Sequence, residues 1–534
     1  MRFLFVTWGV ISWIGKGIVA ASIGKLLKQA WHSVTLIKLD PYLQIDAGTM
    51  SPYEHGEVFV TQDGYETDLD LGHYERFLNQ SLSRTSSITS WYIFQRIITK
   101  ERRGDYLGET VQVVPHVTNE IKELLIQASA WADVTIVEVG GTIGDIEWPH
   151  FIEAIRQLRK DIGREHTMYV HVAPLLYLDY SGEVKTKPIQ HSVRELTRLG
   201  IQPDMIICRT KVPLTSAIKE KISLFCDTEP QYVIEGKDAQ SIYEVPQLLQ
   251  DQEVDLLVQK RLWLDVHTAD LTERNQRVSH FLHPTNTLNI GIIGKYAQLQ
   301  DSYLSVIEAL KHAGAAYITK IQLHRIQAEA FEDKAQRPKL CQELDGLVIP
   351  GWFGKRGMEG KILAAQFARE NNMPFLGLCL GLQMAVIEYA RHVCGLSDAH
   401  TIEAEPTCAD PVISRMPGQS DTQEKWATMR LGAYTADLLP GSRVAELYQA
   451  TQATERHRHR CEVNPAYYDL LTQKGLVLSW KDHTLWLVEY IELADHPFFV
   501  ATQAHPEFLS RLDAPHPLFT GFVQAAQLRK NTTQ

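Results

Sequence analysis

The sequence lacks the features of proteins that are stabilised by disulfides or by structural zinc, and of proteins that span a membrane. Its 534 residues include only seven cysteines, an odd number that are scattered and never spaced as C-x-x-C. This pattern argues against a disulfide framework or a structural zinc site, and it fits a reducing compartment. No segment approaches the ~20 apolar residues of a membrane helix. We therefore expect a cytoplasmic protein with no membrane partner.

An excess of positive charge is also absent. The sequence contains 53 Lys and Arg against 64 Asp and Glu, which gives a formal net charge of -11. Non-specific binding to nucleic acid depends on basic surface, so we expect no nucleic-acid partner. An apolar content of 44% with 22% charged residues is typical of a globular protein with an ample core.

The opening stretch FVTWGVISWIGKG, residues 5–17, has two possible interpretations. An apolar run after Arg2 resembles a secretory signal. However, Lys16, Lys25 and Lys28 continue directly into an amphipathic pattern, and the cysteine usage argues against export. We therefore interpret the stretch as a strand, a glycine loop and the start of a helix.

Strands and helices alternate along the first half of the chain. Apolar runs at 3–7, 34–40 and 133–141 predict strands, and the residues from Val19 to Ala30 recur at helical spacing. This alternation predicts a doubly wound parallel sheet, in which ligands bind beyond the carboxyl ends of the strands.

A second α/β pattern begins at residue 288 and includes LNIGIIGKY, LDGLVIPGWFG and MPFLGLCLGLQ. A polar stretch without clear periodicity precedes it. We therefore predict a first domain at 1–265, a linker at 266–287 and a second domain at 288–534. The predicted fold class is α/β, with two doubly wound, Rossmann-like parallel-sheet domains.

The loop ending in Gly15-Lys16-Gly17 is suited to phosphates, because an ammonium group there can bridge phosphate oxygens. It is not a standard phosphate-binding loop, since Gly17 stands where such loops carry a metal-binding hydroxyl. Magnesium would then need carboxylate ligands.

Cys379 lies between Gly377 and Gly381, after a predicted strand and before a predicted helix. This G-x-C-x-G turn is typical of a nucleophile elbow. His505 and Glu507, in QAHPEF, can complete a Cys-His-Glu triad. The alternative is a buried structural cysteine, as most free cysteines are.

These motifs resemble known families. FLGLCLGLQ with the late H-P-E is similar to a class I glutamine amidotransferase domain, and the entire chain resembles the CTP synthase family. Three long stretches carry the second resemblance: KLDPYLQIDAGTMSPYEHGEVFVTQDGYETDLDLGHYERF, KERRGDYLGETVQVVPHVTNEI and SGEVKTKPIQHSVREL. It implies that the first domain is a P-loop-like synthase, or amidoligase, domain.

The resemblance implies five groups of site residues. The catalytic triad is Cys379, His505 and Glu507, and the residues that bind glutamine are Trp352, Leu380, Gly381, Leu382, Gln383, Glu403 and Arg460. The ATP contacts are Trp13, Ile14, Gly15, Lys16, Gly17, Ile18, Lys38, Asp70, Lys237, Asp238 and Ala239. The contacts to UTP and CTP are Ser12, Asp145, Ile146, Glu147, Lys185, Thr186, Lys187, Pro188, Ile189, Gln190 and Lys221. Asp70 and Glu138 would hold Mg²⁺.

The implied activity is that of a ligase. ATP phosphorylates O4 of UTP, and ammonia from glutamine displaces the phosphate to give CTP. His55 and Val58 lie in the stretch that borders the ammonia route in the family. The resemblance also implies activation by GTP, feedback inhibition by CTP, and assembly into homotetramers, with filaments as a further form.

The sequence departs from the family at six tryptophans: Trp8, Trp13, Trp91, Trp148, Trp352 and Trp426. The family usually has smaller or different residues there, and overpacking a tight loop costs ~1–3 kcal/mol. The departures leave two alternatives open. One is a catalytically impaired nucleotide-binding subunit, and the other is a glutamine-dependent, ATP-using amidoligase with a different acceptor.

Overall fold

The computed structural model describes residues 1–534 except 11–14, 179, 181, 297, 300, 352, 416–428, 482–486 and 534. The chain divides into two compact units. The first contains Met1–Thr49 and Asp70–Val278, and the second contains Met50–Leu69 and Ser279–Gln534. Residues 50–69 therefore leave the first unit and belong to the second, although their sequence neighbours on both sides belong to the first.

The strands of both units are numbered here in chain order. They are β1 Arg2–Trp8, β2 Val34–Asp40, β3 Phe59–Val60, β4 Glu66–Thr67, β5 Ser87–Thr89, β6 Val134–Val139, β7 Thr167–Pro174, β8 Leu176–Leu178, β9 Glu183–Lys185, β10 Met205–Thr210, β11 Val233–Lys237 and β12 Asn286–Gly294. The later strands are β13 Thr319–Gln327, β14 Gly346–Ile349, β15 Phe375–Leu378, β16 Ala399–Thr401, β17 Asp410–Arg415, β18 Arg430–Leu438, β19 Gln452–His459, β20 Cys461–Val463, β21 Val477–Lys481, β22 Val488–Glu492 and β23 Phe499–Thr502.

The α-helices are numbered in the same way. They are α1 Lys16–Gln29, α2 Pro52–His55, α3 Asp70–Leu78, α4 Ser90–Arg103, α5 Thr118–Ala128, α6 Pro149–Ile162, α7 Lys187–Arg198, α8 Ser216–Cys226 and α9 Val245–Gln250. The remaining helices are α10 Val254–Arg261, α11 Thr272–Leu282, α12 Leu304–Ala316, α13 Arg337–Cys341, α14 Met358–Glu370, α15 Leu380–His392, α16 Arg443–Tyr448, α17 Tyr468–Gln473 and α18 Pro517–Thr533. Over the part of the chain that the structure covers, none of these helices is long and apolar enough to cross a membrane.

The first unit is built on a seven-stranded sheet in the order β11-β10-β7-β1-β6-β2-β5. Every neighbouring pair in it is parallel. All residues of β2 and β6 are buried, as expected for central strands that are covered on both faces. The order jumps between sequence neighbours, so crossover helices pack on the sheet and the carboxyl ends of β1, β2 and β6 meet at one edge.

The second unit is built on a nine-stranded sheet in the order β13-β12-β14-β15-β23-β22-β21-β18-β19. The pairs from β13 to β23 are parallel, and those from β23 to β19 are antiparallel. A smaller sheet, β16-β17-β20, and the hairpin β3-β4 accompany it. The hairpin comes from residues 50–69.

The predicted α/β class with two parallel-sheet domains is confirmed. The strand predicted at 34–40 is β2, and the helical spacing that begins near Val19 lies within α1. The stretch 266–287 also contains a helix, α11, in which only Arg274 and Val278 are buried. Because only these two residues of α11 are buried, its sequence does not show the apolar periodicity that predicts a helix.

Trp148, one of the six tryptophans named above, lies in the core of the first unit. It is 2% exposed and packs in an apolar cluster with Phe151, Ile152 and Ile155. Gly141 makes room for it, because a methyl group at Gly141 would lie 2.0 Å from the indole nitrogen of Trp148. Trp131, in contrast, is 60% exposed in the same unit.

We expect Trp148→Ala to lower the free energy of unfolding of the first unit by about 3–5 kcal/mol, because the truncation leaves a large cavity. Trp131→Ala is the matched control and should stay within about 0.5 kcal/mol of the parent. Chemical denaturation followed by far-UV circular dichroism measures both. Equal effects of the two substitutions would contradict the core position of Trp148.

Candidate active sites

The glycine loop connects β1 to α1, which begins at Lys16. Gly15 has φ 87°, a left-handed conformation that favours glycine. Trp8 is the last residue of β1, and its side chain is 3% exposed. The Nζ of Lys16 lies 4.9 Å from the centre of the Trp8 ring, within the range of a cation–π interaction. Ser12, Trp13 and Ile14, predicted nucleotide contacts, lie outside the described residues, whereas Ile18 lies in the first turn of α1.

Four predicted residues of the first unit meet in one charged cluster. Lys38, at the end of β2, forms a salt bridge with Asp70 at the start of α3, and its Nζ lies 3.6 Å from Oε1 of Glu138. The Nζ of Lys16 lies 3.4 Å from the same oxygen. Both ammonium groups therefore lie close to the two carboxylates that the family resemblance assigns to magnesium.

Gly17 lies against both carboxylates. A methyl group at this position would be 2.9 Å from Oδ1 of Asp70 and 3.0 Å from Oε2 of Glu138. The two oxygens thus converge on space that only glycine leaves open, and hard oxygen donors suit Mg²⁺. Within the described ranges, no group of three or more His, Cys, Asp or Glu residues forms a metal site from protein ligands alone. Phosphate or water oxygens would have to complete the coordination.

Burial and charge act on these carboxyl groups in opposite directions. Burial favours the neutral form of Asp70, but the neighbouring Lys38, with His73 and Lys16, outweighs it and lowers the pKa of Asp70. Burial, together with the charge of Asp70, raises the pKa of Glu138. Tyr74, which sequence reasoning missed, donates a hydrogen bond from its hydroxyl to the Glu138 carboxylate.

The second predicted ATP segment lies at the end of β11. Lys237 and Asp238 are exposed and Ala239 is half-buried. Asp238 pairs with Arg209, with 2.8 Å between Oδ1 and Nε. A methyl group at Gly15 would lie 3.9 Å from Nη1 of Arg209. Arg209, also missed from sequence, therefore pairs with this segment and lies beside Gly15.

The predicted UTP residues divide into exposed and buried groups. The exposed group is Asp145, Ile146, Glu147, Lys185, Lys187 and Lys221. Thr186, Ile189 and Gln190 are buried, and Nε2 of Gln190 donates to Oγ1 of Thr186 at 3.0 Å. Pro188 lies in the first turn of α7. The buried residues lie at the start of α7, where Lys187 is the first residue of the helix and Lys185 ends the preceding strand β9, whereas Lys221 lies on α8.

A buried imidazole lies beneath the same helix. Nδ1 of His171 is 3.0 Å from Oγ1 of Thr7 on β1, and its Nε2 is 2.7 Å from Oγ of Ser192 on α7. Burial lowers the pKa of His171 to about 4, so the ring is neutral at physiological pH. This chain of hydrogen bonds joins the strand of the glycine loop to the helix that follows the lysines.

In the second unit, Cys379 occupies a sharp turn between β15 and α15. Its φ of 51° and ψ of -103° are strained for a residue with a side chain. Both flanking glycines are required sterically. A methyl group at Gly377 would lie 2.8 Å from Cβ of Ala501, and one at Gly381 would lie 2.2 Å from the carbonyl oxygen of Ile349.

His505 and Glu507 meet at the cysteine. Nδ1 of His505 lies 2.7 Å from Oε1 of Glu507. A methyl group at Gly351 would lie 3.1 Å from Cβ of Cys379 and 3.5 Å from Nε2 of His505, so the thiol and the imidazole face the same point. Burial disfavours the imidazolium, but Glu507 and Cys379 outweigh it and raise the pKa of His505 to about 10. The arrangement suits a thiolate paired with an imidazolium.

The loop that follows β14 borders this cysteine. Trp352, the residue of this loop that is predicted to contact glutamine, lies outside the described residues. Lys295 donates from Nζ to the carbonyl oxygen of Phe353 at 3.2 Å. Lys361, 1% exposed, donates to the carbonyl oxygen of Pro350 at 3.4 Å, and burial lowers its pKa to about 7. Two lysines thus bind backbone carbonyl groups of this loop.

The other predicted glutamine residues surround the elbow. Leu380, Gly381, Leu382 and Gln383 form the first turn of α15. Nε2 of Gln383 donates to Oε1 of Gln503 at 3.2 Å, and Nε2 of Gln503 lies 3.6 Å from the Cys379 sulfur. Glu403 is exposed and accepts from the backbone nitrogen of Gly354 at 3.3 Å. Arg460 is half-buried and directly follows β19.

Two family models match the chain. The model described as CTP synthase N-terminus matches residues 2–264, and the model described as glutamine amidotransferase class-I matches residues 298–525. A protein of Methanocaldococcus jannaschii named CTP synthase is 52% identical over 531 residues, which cover 98% of each chain.

The chain belongs to the CTP synthase family.

A CTP synthase of Caldanaerobacter subterraneus subsp. tengcongensis is likewise 52% identical, over 526 residues and 98% of each chain. A solved structure described as the Trypanosoma brucei CTPS glutaminase domain with bound acivicin is 36% identical. It covers 45% of this chain and 94% of its own, with a TM-score of 0.43.

The charge of Glu507 is expected to make stability depend on pH in this CTP synthase family member. The pKa of His505 is raised from 6.5 to about 10 in the folded protein, so the interaction of its imidazolium with Glu507 stabilises the fold fully below about pH 6.5. This contribution to stability is lost as the pH rises through about 10. Glu507→Gln should therefore reduce the free energy of unfolding most at pH 6, and progressively less towards pH 10. Denaturant titrations across that pH range measure the difference. A difference that grows with pH would contradict the assignment.

Proposed function

We propose that this chain converts UTP to CTP, using ATP and the ammonia released from glutamine. The observation that carries the proposal is that a single chain holds both the Lys16–Lys38–Asp70–Glu138 cluster and the Cys379–His505–Glu507 arrangement, while its family likeness spans both. We assign residues 1–265 to synthesis, 266–287 to a linker and 288–534 to glutamine hydrolysis.

The first cluster suits phosphoryl transfer. Two ammonium groups can bind the oxygens that gain negative charge when the γ-phosphoryl group of ATP moves to O4 of UTP. The transfer releases ADP and leaves phosphate as the leaving group at C4. Ammonia then attacks C4 and expels phosphate, which gives CTP. The exposed Lys185, Lys187 and Lys221 are the proposed cations for the UTP triphosphate.

Mg²⁺ is a proposed cofactor, and Asp70 and Glu138 would hold it. When bound, the ion would neutralise phosphate charge during the transfer. The open space at Gly17 and the oxygen-only donors support this assignment. GTP as activator, CTP as feedback inhibitor, a homotetrameric assembly and a cytoplasmic location complete the proposal by analogy with the family.

The second arrangement suits amide hydrolysis. The Cys379 thiolate attacks the side-chain carbonyl of glutamine, and the imidazolium of His505 protonates the departing ammonia. Water then releases glutamate from the thioester. Glu507 orients the imidazole and stabilises its charge. Glu403 and Arg460 are the proposed partners of the glutamine α-amine and α-carboxylate.

One variant in each site separates the two reactions. Cys379→Ala should abolish CTP formation from glutamine and retain CTP formation from ammonium chloride, because only the nitrogen source is lost. Asp70→Asn should abolish CTP formation from both sources, because phosphoryl transfer fails. Absorbance of CTP and release of glutamate measure the two reactions separately.

Loss of ammonia-dependent synthesis in a folded Cys379→Ala protein would contradict the role of that cysteine. A folded parent protein that forms no CTP from either nitrogen source would overturn the proposed function. In that case the product formed from another acceptor would identify a different amidoligase, and the absence of any turnover would identify an impaired subunit.

A further inference from the structure

Strand β19 contacts the glutaminase triad through its backbone. The carbonyl oxygen of Arg456 accepts a hydrogen bond from the backbone nitrogen of His505 at 2.7 Å. The carbonyl oxygen of Arg458 lies 3.7 Å from the sulfur of Cys379. The position of this strand therefore sets where both the base and the nucleophile lie.

The histidines of β19 lie on the opposite face from its arginines, because side chains alternate along a strand. His457 and His459 are 2% exposed, and their rings are joined by 3.0 Å between Nδ1 and Nε2. They face Glu489 and Glu462, at 3.5 and 3.3 Å. A buried polar cluster thus holds this face of the strand.

The arginine side chains bind a second element, which we call the docking hairpin, residues 57–67. Nη1 of Arg456 donates to the carbonyl oxygen of Val60 at 2.9 Å. Nε of Arg458 donates to Oε1 of Glu66 at 2.6 Å, in a salt bridge whose side chains are 13% and 5% exposed. Both partners come from sequence almost four hundred residues away, with separations of 396 and 392.

The docking hairpin also reaches the triad through aromatic contacts. The ring of Phe59 meets Phe508 edge-on, with 4.9 Å between the ring centres. Phe508 in turn stacks on the imidazole of His505 at 5.2 Å and an interplanar angle of 16°. Arg456 adds to this packing, since its guanidinium lies 5.4 Å from the centre of the Phe59 ring. One ring therefore separates the hairpin from the catalytic base.

Arg458 touches three parts of the site at once. Its carbonyl oxygen faces the Cys379 sulfur, its Nε binds Glu66, and its guanidinium carbon lies 4.9 Å from the centre of the Phe353 ring in the loop after β14. A guanidinium that lost its carboxylate would remain mostly buried beside that loop. Loss of a buried ion-pair partner is destabilising, and the backbone of Arg458 itself carries the contact to the nucleophile.

The docking hairpin is itself held rigidly. The backbone nitrogen of Ser305 donates to Oε2 of Glu57 at 2.8 Å, and the backbone nitrogen of Ala433 donates to the carbonyl oxygen of Gln62 at 2.9 Å. Gly64 has φ 84°, and a methyl group there would lie 2.9 Å from the carbonyl oxygen of Leu431. The hairpin can therefore act as a fixed support.

We propose that the docking hairpin is a positioning element of the glutaminase site and acts through the salt bridge between Glu66 and Arg458. The inference rests on the proposed function, because it takes Cys379 and His505 as the groups that hydrolyse glutamine. Glu66 and Arg458 are positioning residues, since their side chains act on the nucleophile and on the loop after β14 through the backbone of β19. A misplacement of about 1 Å in such a site costs up to about 100-fold in rate.

Glu66→Gln and Arg458→Met test this proposal. Each should lower kcat for glutamine hydrolysis by about 10-fold to 100-fold, because Glu66→Gln removes the negative charge from a buried hydrogen bond and Arg458→Met removes its donor. The KM for glutamine should change by less than about 3-fold, since the ligand contacts remain. The kcat of the double variant should be no lower than that of the slower single variant, as expected for two residues that act through one interaction. Glu66→Asp, which keeps the charge, should recover part of the rate.

The assay measures glutamate release with ATP, UTP, GTP and Mg²⁺ present, and CTP formation from ammonium chloride serves as the control for an intact fold. Glu359→Gln is the matched control variant. This substitution removes the ion pair between Glu359 and Arg391, in which Oε2 and Nη1 are 2.9 Å apart. Arg391 lies in the last turn of α15, about 18 Å along that helix from Cys379. The substitution should leave both rates within about 2-fold of the parent.

Glutamate release by Glu66→Gln at the parent rate would overturn the proposal. So would a loss of ammonia-dependent synthesis in the same proportion as glutamine hydrolysis, because that result would indicate a general structural role. If Arg458→Met does not fold, Glu66→Gln and Glu66→Asp decide the question. A parent protein that releases glutamate but forms no CTP would overturn the proposed function and leave this inference measurable.

Discussion

Charge buried at the carboxyl ends of parallel strands is the constraint on which both candidate sites depend. In the first unit, Lys38 at 3% exposure and Glu138 at 0% lie near the carboxyl ends of the neighbouring strands β2 and β6, where Lys38 pairs with Asp70 and Glu138 accepts a hydrogen bond from Tyr74. In the second unit, Cys379 and His505 follow the parallel neighbours β15 and β23. Parallel topology brings these groups to one edge, and burial makes their mutual interactions strong.

The same constraint explains why the glycines are placed as they are. Gly17 leaves room for two carboxylates, Gly351 for the thiol and the imidazole, and Gly377 and Gly381 for the strained elbow. The shape of each site therefore depends on these glycines as well as on the charged and nucleophilic side chains.

Sequence patterns could predict the parallel sheets and the chemistry of individual positions. The strand at 34–40 was predictable because its first four residues, VTLI, and Leu39 are apolar or β-branched, and the elbow because glycines bracket Cys379. Helix α11 was missed because its buried stripe is too narrow. Tyr74, Arg209, Lys361 and Gln503 were missed because their roles depend on tertiary approach. The placement of residues 50–69 was beyond local patterns, since their partners Arg456 and Arg458 are almost four hundred residues away.

The central claim is that one chain couples glutamine hydrolysis to amination of UTP. The most direct test is the stoichiometry of the parent protein supplied with glutamine, ATP, UTP, GTP and Mg²⁺. The account predicts equal amounts of CTP, ADP, phosphate and glutamate throughout the reaction. Glutamate released without CTP, or no CTP from glutamine and none from ammonium chloride, would contradict it.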